Sequence, residues 1–177
     1  MGEAPHGVVL RPMTEHDVPL IHRWLQAPHL AEWWGDAGFT LAETQAGYSP
    51  AVMAADQVTP YIAMRGGRAI GFAQSYLAMG SGDGWWDFVT DPGVRGIDQF
   101  LAHGEDLGQG LGTQMVEALV ELLFRDPAVT LIQTDPDPGN HRAIRCYEKA
   151  GFRAVEIVTT PAGPALYMVR ERKAHPL

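Results

Sequence analysis

Gly108-Gln109-Gly110-Leu111-Gly112-Thr113 and, further along, Asn140-x-x-Ala143-x-x-x-Tyr147-x-x-x-Gly151-Phe152 are the stretches on which the fold of this chain turns. The first lies between a strand candidate and the clearest helix. Three glycines at alternate positions let the backbone bend and aim several N–H groups at one point. The positive end of the following helix stabilises an anion placed there. In chemical terms this is a pyrophosphate cradle. It is not a P-loop, because the Gly-Lys-Ser/Thr ending is missing, nor does it have G-x-G-x-x-G spacing. The same residues also read as a flexible glycine-rich N-cap, and the loop alone does not separate the two. In the second stretch Asn140, Ala143 and Tyr147 fall at i, i+3 and i+7 and share one helix face.

Working outward, Val8 to Met13 reads as a first strand ended near Pro12, and Thr14 with Asp17 three residues on opens a helix with Ile21, Trp24 and Leu25 as its apolar stripe. A second helix is expected from Leu41 to Ala54. Residues 61–64 and 69–78 form a hairpin whose Gly66-Gly67 pair supplies the positive φ angles of a two-residue turn. Residues 79–96 look irregular, and Ile97 to Ala102 is a short strand. Gly112 to Phe124 is a helix with Met115, Val116, Leu119, Val120 and Leu123 on one face. Val129 to Thr134 is a strand, and Asn140 to Ala150 is a helix stopped at Gly151. Val155 to Thr159 and Leu166 to Arg170 form a last hairpin across residues 160–164. The order predicts an α/β fold with a mixed central sheet flanked by helices.

The chain has 177 residues, 46% apolar and 19% charged, which fits one globular domain over 1–177 and excludes disordered and fibrous classes. No apolar run is long enough for a membrane span, and the first residues lack the pattern of a signal peptide, so the expectation is a cytoplasmic protein. A single cysteine, Cys146, builds no intrachain disulfide, and the seven histidines show no metal-binding spacing. The net charge of −8 disfavours nucleic acid and anionic membranes as partners. Solubility explains that charge, and the attraction of a cationic small molecule would need the acidic residues to converge on one site.

The glycine loop paired with the Asn140–Phe152 helix resembles the GNAT acetyltransferase superfamily. The resemblance implies that the loop binds the pyrophosphate of acetyl-CoA and that the tyrosine sits beside its sulfur. Leu107 stands where the family usually carries Arg or Gln. Within the superfamily, Ala31-Glu32-Trp33-Trp34-Gly35, Val58 to Met64, Gly80 to Trp86, Asp91 to Gln99, Gln133 to Pro136 and Arg142 to Phe152 resemble the aminoglycoside 6′-N-acetyltransferases, from about Val8 to Met168. That implies acetyl transfer to the 6′-amine of kanamycin- and tobramycin-type antibiotics, by a monomer or a homodimer. It places Gln99, Phe100, Leu101, Gly108, Gln109, Gly110, Leu111, Gly112, Thr113, Asn140, Ala143 and Tyr147 on the donor. It places Trp34, Tyr48, Gln74, Ser81, Asp83, Trp85, Asp98 and Asp135 on the acceptor. Ala162 stands where the relatives of this kind carry aspartate.

The residue types suit such an acceptor independently. A polycation covered with hydroxyls needs carboxylates and flat apolar walls, which the aspartates and tryptophans supply. Asp83 and Asp135 also read as turn residues, whereas Asp98 lies inside an apolar strand where no turn explains it. The attacking amine must lose a proton, a task assigned to Asp98 with Asp135 as second choice. Backbone N–H groups from Gln99 to Leu101 would face the developing oxyanion, and Tyr147 would protonate the leaving thiolate. Cys146 points about 100° away from Tyr147 on the helix and reads as a buried structural thiol. Two other readings remain: a GNAT enzyme acting on a lysine-derived siderophore precursor or a protein amine, and a non-catalytic acyl-CoA-binding module.

Overall fold

The computed structural model describes residues 7–173. Seven strands form one sheet in the order β1-β2-β3-β4-β5-β7-β6. They are β1 (Val9–Pro12), β2 (Val58–Arg65), β3 (Arg68–Leu77), β4 (Val94–Leu101), β5 (Leu131–Thr134), β6 (Arg153–Thr160) and β7 (Gly163–Glu171). Every neighbouring pair is antiparallel except β4 with β5. That one parallel pair is reached through the crossover helix α4 (Leu111–Phe124), the connection parallel strands require.

Strand alternation decides which helices cover which face. Ile62, Phe72 and Phe100 point to one side and pack under α1 (Val18–Trp24) and α2 (Leu41–Tyr48), with Ile21, Trp24, Leu25 and Tyr48. Ala63, Ala73, Ile97 and Leu101 point to the other side and pack under α4, whose Met115, Val116 and Leu119 are essentially inaccessible. Truncating Leu119 to alanine costs about 2–5 kcal/mol on these grounds. The remaining end of the first face is closed by the loop after β3, which lays Trp86 and Val89 against Tyr167 and Val169 of β7.

The mixed sheet and the predicted element order hold, with three corrections. The helix expected over 41–54 is two helices, α2 and α3 (Pro50–Ala55), broken at Ser49 with ψ 123. A residue before proline is driven out of the helical region. Strand β4 begins at Val94 rather than Ile97. Gly96 disguises its start, yet it pairs with Tyr76, whose ring occupies the space a Cβ would need. The last hairpin turns through Pro161-Ala162 alone, with Thr160 paired to Gly163. Pro164 is tolerated in β7 because β5 pairs only with residues 168–171, so no ladder bond is lost there. The Gly66-Gly67 turn is as expected, with φ of 56 and 77.

The first helix opens on a 3₁₀ turn, Glu15–Asp17. The Asp17 carboxylate accepts the Thr14 N–H at 2.8 Å and both Arg11 guanidinium nitrogens at 2.8 Å. Arg11 thereby holds the Asp17 carboxyl below its ordinary range.

Candidate active site

Strands β4 and β5 pair only over Val94–Gly96 and Leu131–Gln133, after which β4 continues to Leu101 while β5 stops at Thr134. Beyond the last pair the sheet opens into a cleft of about 910 Å³. Backbone alternation sends the peptide groups of Ile97, Gln99 and Leu101 into that gap, and those of the even-numbered residues toward β3. The Ile97 carbonyl accepts from Thr134 Oγ1 at 3.4 Å, and the Leu101 carbonyl bonds His29 Nε2 at 2.7 Å. Gln99 Oε1 is buried with no hydrogen-bond partner.

The glycine loop closes one end of the cleft. Gly108 and Gly110 have φ of 74 and 79, and Gly110 caps α4 in the left-handed region, so the first amides of the helix face the cleft. Gly108, Gly110, Gly112 and Thr113 line it. The side chains of the other two loop residues do not: Leu111 is in the core, and Gln109 Nε2 turns back to the Glu105 carbonyl at 2.6 Å. Opposite stands α5 (His141–Lys149), capped by Asn140 Oδ1, which accepts the Ala143 N–H at 3.2 Å. These features fit the acyl-CoA class: the open peptide groups of Gln99 on the strand edge, an orphaned amide oxygen and a helix N-terminus with backbone donors.

Tyr147 is buried on the inner face of α5, and its phenolic oxygen accepts Gln99 Nε2 at 2.6 Å. Burial pushes the phenol well above its ordinary pKa, more than its hydrogen bonds with Thr134 and Gln99 lower it, so it stays protonated. Asp98 faces the cleft from β4, where Gln74, its direct partner on β3, donates to Oδ2 at 2.9 Å. Burial raises the Asp98 carboxyl. Asp135 is pushed up to about 8, first by burial and then by the charge of Asp98. Two carboxyl groups in one half-buried site resist carrying two charges, and a cation brought between them releases the proton.

A second cavity of about 560 Å³ continues from the cleft, sharing Glu32, Trp33, Trp34, Asp135 and Asp137 with it and reaching Thr160, Ala162 and Pro164 of the last hairpin. Not every expected acceptor residue lines this space. Tyr48 is buried, stacks edge-on against Phe72 and donates to Asp36 at 2.7 Å while accepting the Trp34 indole N–H at 2.9 Å, so it meets the cavities only through Trp34. Gln74 reaches the cleft only through Asp98. Ser81, Asp83 and Trp85 line neither cavity: Ser81 bonds the Ala78 carbonyl, Asp83 holds a positive-φ turn, and Trp85 leans on Trp86. Their loop meets the last hairpin at Pro161, beside the second cavity. Cys146 is half-buried, packs against the core under α4 and also lines the cleft, where Thr113 Oγ1 donates to its sulfur at 3.7 Å. Trp33, Asp137, Met115 and the basic residues of α5 also line the space and were not anticipated. Trp33 adjoins Trp34 in a run whose inward member sequence alone does not reveal. No group of residues suited to a metal ion occurs among the described residues.

Residues 13–160 match the acetyltransferase (GNAT) domain family. The chain belongs to the GNAT acetyltransferases and, within them, to the aminoglycoside N(6′)-acetyltransferases. It is 63% identical over 169 residues to aminoglycoside N(6′)-acetyltransferase type 1 of Klebsiella pneumoniae, covering 94% of this chain and 84% of that one. The solved structure of AAC(6′)-Ib in complex with ribostamycin and coenzyme A superposes with a TM-score of 0.92 at 62% identity, covering 94% of each chain. The same protein with coenzyme A and kanamycin gives 0.90 at 62%, over 93% of this chain and 95% of that one.

Proposed function

We propose that the cleft transfers an acetyl group from acetyl-CoA directly to the 6′-amine of kanamycin-type aminoglycosides, conferring resistance. The chain would act as one domain in the cytoplasm; no helix among the described residues is long and apolar enough to cross a membrane. The observation that carries this reading is the approach of Asp98 and Tyr147 to one open strand edge, with Asp135 beside them and aromatic walls leading to the second cavity.

When bound, acetyl-CoA supplies the acetyl group as a thioester. The α4 N-terminus and its glycines hold the diphosphate, Asn140 and Ala143 flank the arm, and the β4 edge aligns it. Asp98, steadied by Gln74, takes the proton from the ammonium group directly or through water. Asp135 draws the cation in and keeps the pair's second negative charge. The Gln99 N–H faces the reacting carbonyl oxygen, where preorganised backbone donors are worth most. Tyr147 gives its proton to the departing sulfur, and the second proton of the attacking nitrogen, lost as the amide forms, returns to the phenolate directly or through water. Because Gln99 Nε2 donates to the phenolic oxygen, that bond does not consume the phenolic hydrogen. Cys146 lies beside Gly112 and Thr113, and burial raises its thiol, so no acyl-cysteine step is invoked.

The test compares CoA release from acetyl-CoA with kanamycin A and with paromomycin, which carries a 6′-hydroxyl. Turnover with kanamycin A alone is expected. Release with neither compound overturns the reading.

A further inference from the structure

We propose that Arg142, Arg145 and Lys149 of α5 bind the 3′-phosphate of coenzyme A and set the enzyme's preference for CoA over 3′-dephospho-CoA. The inference rests on acetyl-CoA as the donor. It begins from a mismatch of charge. The protein carries a net charge of −8, yet its donor is a polyanion. The glycine loop offers backbone amides but no cation, since residues 96–124 contain neither lysine nor arginine. Backbone donors and one helix end suit a diphosphate. They leave the second phosphate, close to two further charges near neutral pH, without a partner.

The only lysine or arginine side chains on the cleft among the described residues are these three. They recur at i, i+3 and i+7, so they form one ridge of α5. That ridge sits beside the cradle: Cys146, between Arg145 and Lys149, lies against Gly112, and Lys149 acts electrostatically on the Cys146 thiol. All three are exposed, and none makes an ion pair or side-chain hydrogen bond among the described residues. Arg142 and Arg145 at i, i+3, and Arg145 and Lys149 at i, i+4, repel each other, a cost that a bound dianion removes. The opposite end of the cleft carries Asp98, Asp135, Asp137 and Glu32. One space thus has a basic end for the donor and an acidic end for the acceptor.

The experiment is calorimetric titration of CoA and of 3′-dephospho-CoA into the wild type and into the Arg142→Gln/Arg145→Gln/Lys149→Gln variant, with folding checked by circular dichroism. The wild type is expected to bind CoA about tenfold more tightly. The variant should lose that preference to within about twofold, while its affinity for 3′-dephospho-CoA stays near the wild-type value. Equal binding of both ligands by the wild type, a preference that survives in the variant, or an equal loss for both ligands each overturns the assignment. If the wild type binds neither ligand, the donor reading falls as well. Should the triple variant not fold, Lys149→Gln alone carries the same comparison, with a smaller loss of preference expected and an unchanged preference overturning the assignment.

Discussion

Gln74 Nε2 donates to Asp98 Oδ2 at 2.9 Å across directly paired positions of β3 and β4. This bond favours the ionised carboxylate against the burial that opposes it. Replacing Gln74 with leucine raises the Asp98 pKa further. The acidic limb of the kcat/KM profile should therefore move to higher pH. Asp98→Asn should abolish most turnover at every pH. A Gln74→Leu profile that overlays the wild type shows that Asp98 is not the titrating base.

Tyr147→Phe keeps the ring that packs against Phe152 and removes only the hydroxyl. Loss of the general acid should lower kcat by roughly 10- to 1000-fold with little change in the KM for either substrate. Wild-type turnover in this variant would exclude the tyrosine as proton donor.

Asp98 and Asp135 contribute a pH dependence of stability opposite in sign to that of Asp17. Their folded pKa values lie above the unfolded ones, so the folded chain binds more protons between about pH 4 and the value of about 8 at Asp135. Stability contributed by these groups is present at low pH and is lost as pH rises through that window. Asp135→Asn should flatten the slope and raise Tm at pH 8 by a few °C. Thermal scans at pH 5 and 8 decide it, an unchanged slope being the adverse result.

Ala162 is exposed on the wall of the second cavity, at the two-residue turn between β6 and β7. Ala162→Asp adds a carboxylate facing the acceptor. The KM for kanamycin should fall by about fivefold at low salt, the scale of about 1 kcal/mol for one added ion pair, and the gain should shrink as salt screens it. The KM for acetyl-CoA should not move. Values within twofold for every aminoglycoside would show that position 162 does not reach the acceptor.

What could be read before the structure followed local physics. The apolar face of α4, the paired glycines at 66–67 and the stop of α5 at Gly151 all depend on near neighbours in sequence. What escaped notice depends on distant ones. The start of β4 is hidden because Gly96 makes room for Tyr76, a constraint visible only across the β3–β4 ladder. The loop carrying Ser81, Asp83 and Trp85 carries site-like residue types, yet their side chains settle outside both cavities. The basic ridge of α5 reads as an ordinary solvated helix face until the glycine loop is placed beside it. Trp34 and Tyr48 stand out in the sequence, but the bond between them and the bond from Tyr48 to Asp36 are not legible there.

The acidic end of the cleft also bears on what happens after the reaction. In the proposed transfer an ammonium group becomes a neutral amide, so Asp98 and Asp135 lose the charge that had drawn the molecule in. The carboxyl pair again holds a proton between them, and the product is left against groups with less reason to retain it. The arrangement that gathers the cation would thus also release the modified drug without a moving part.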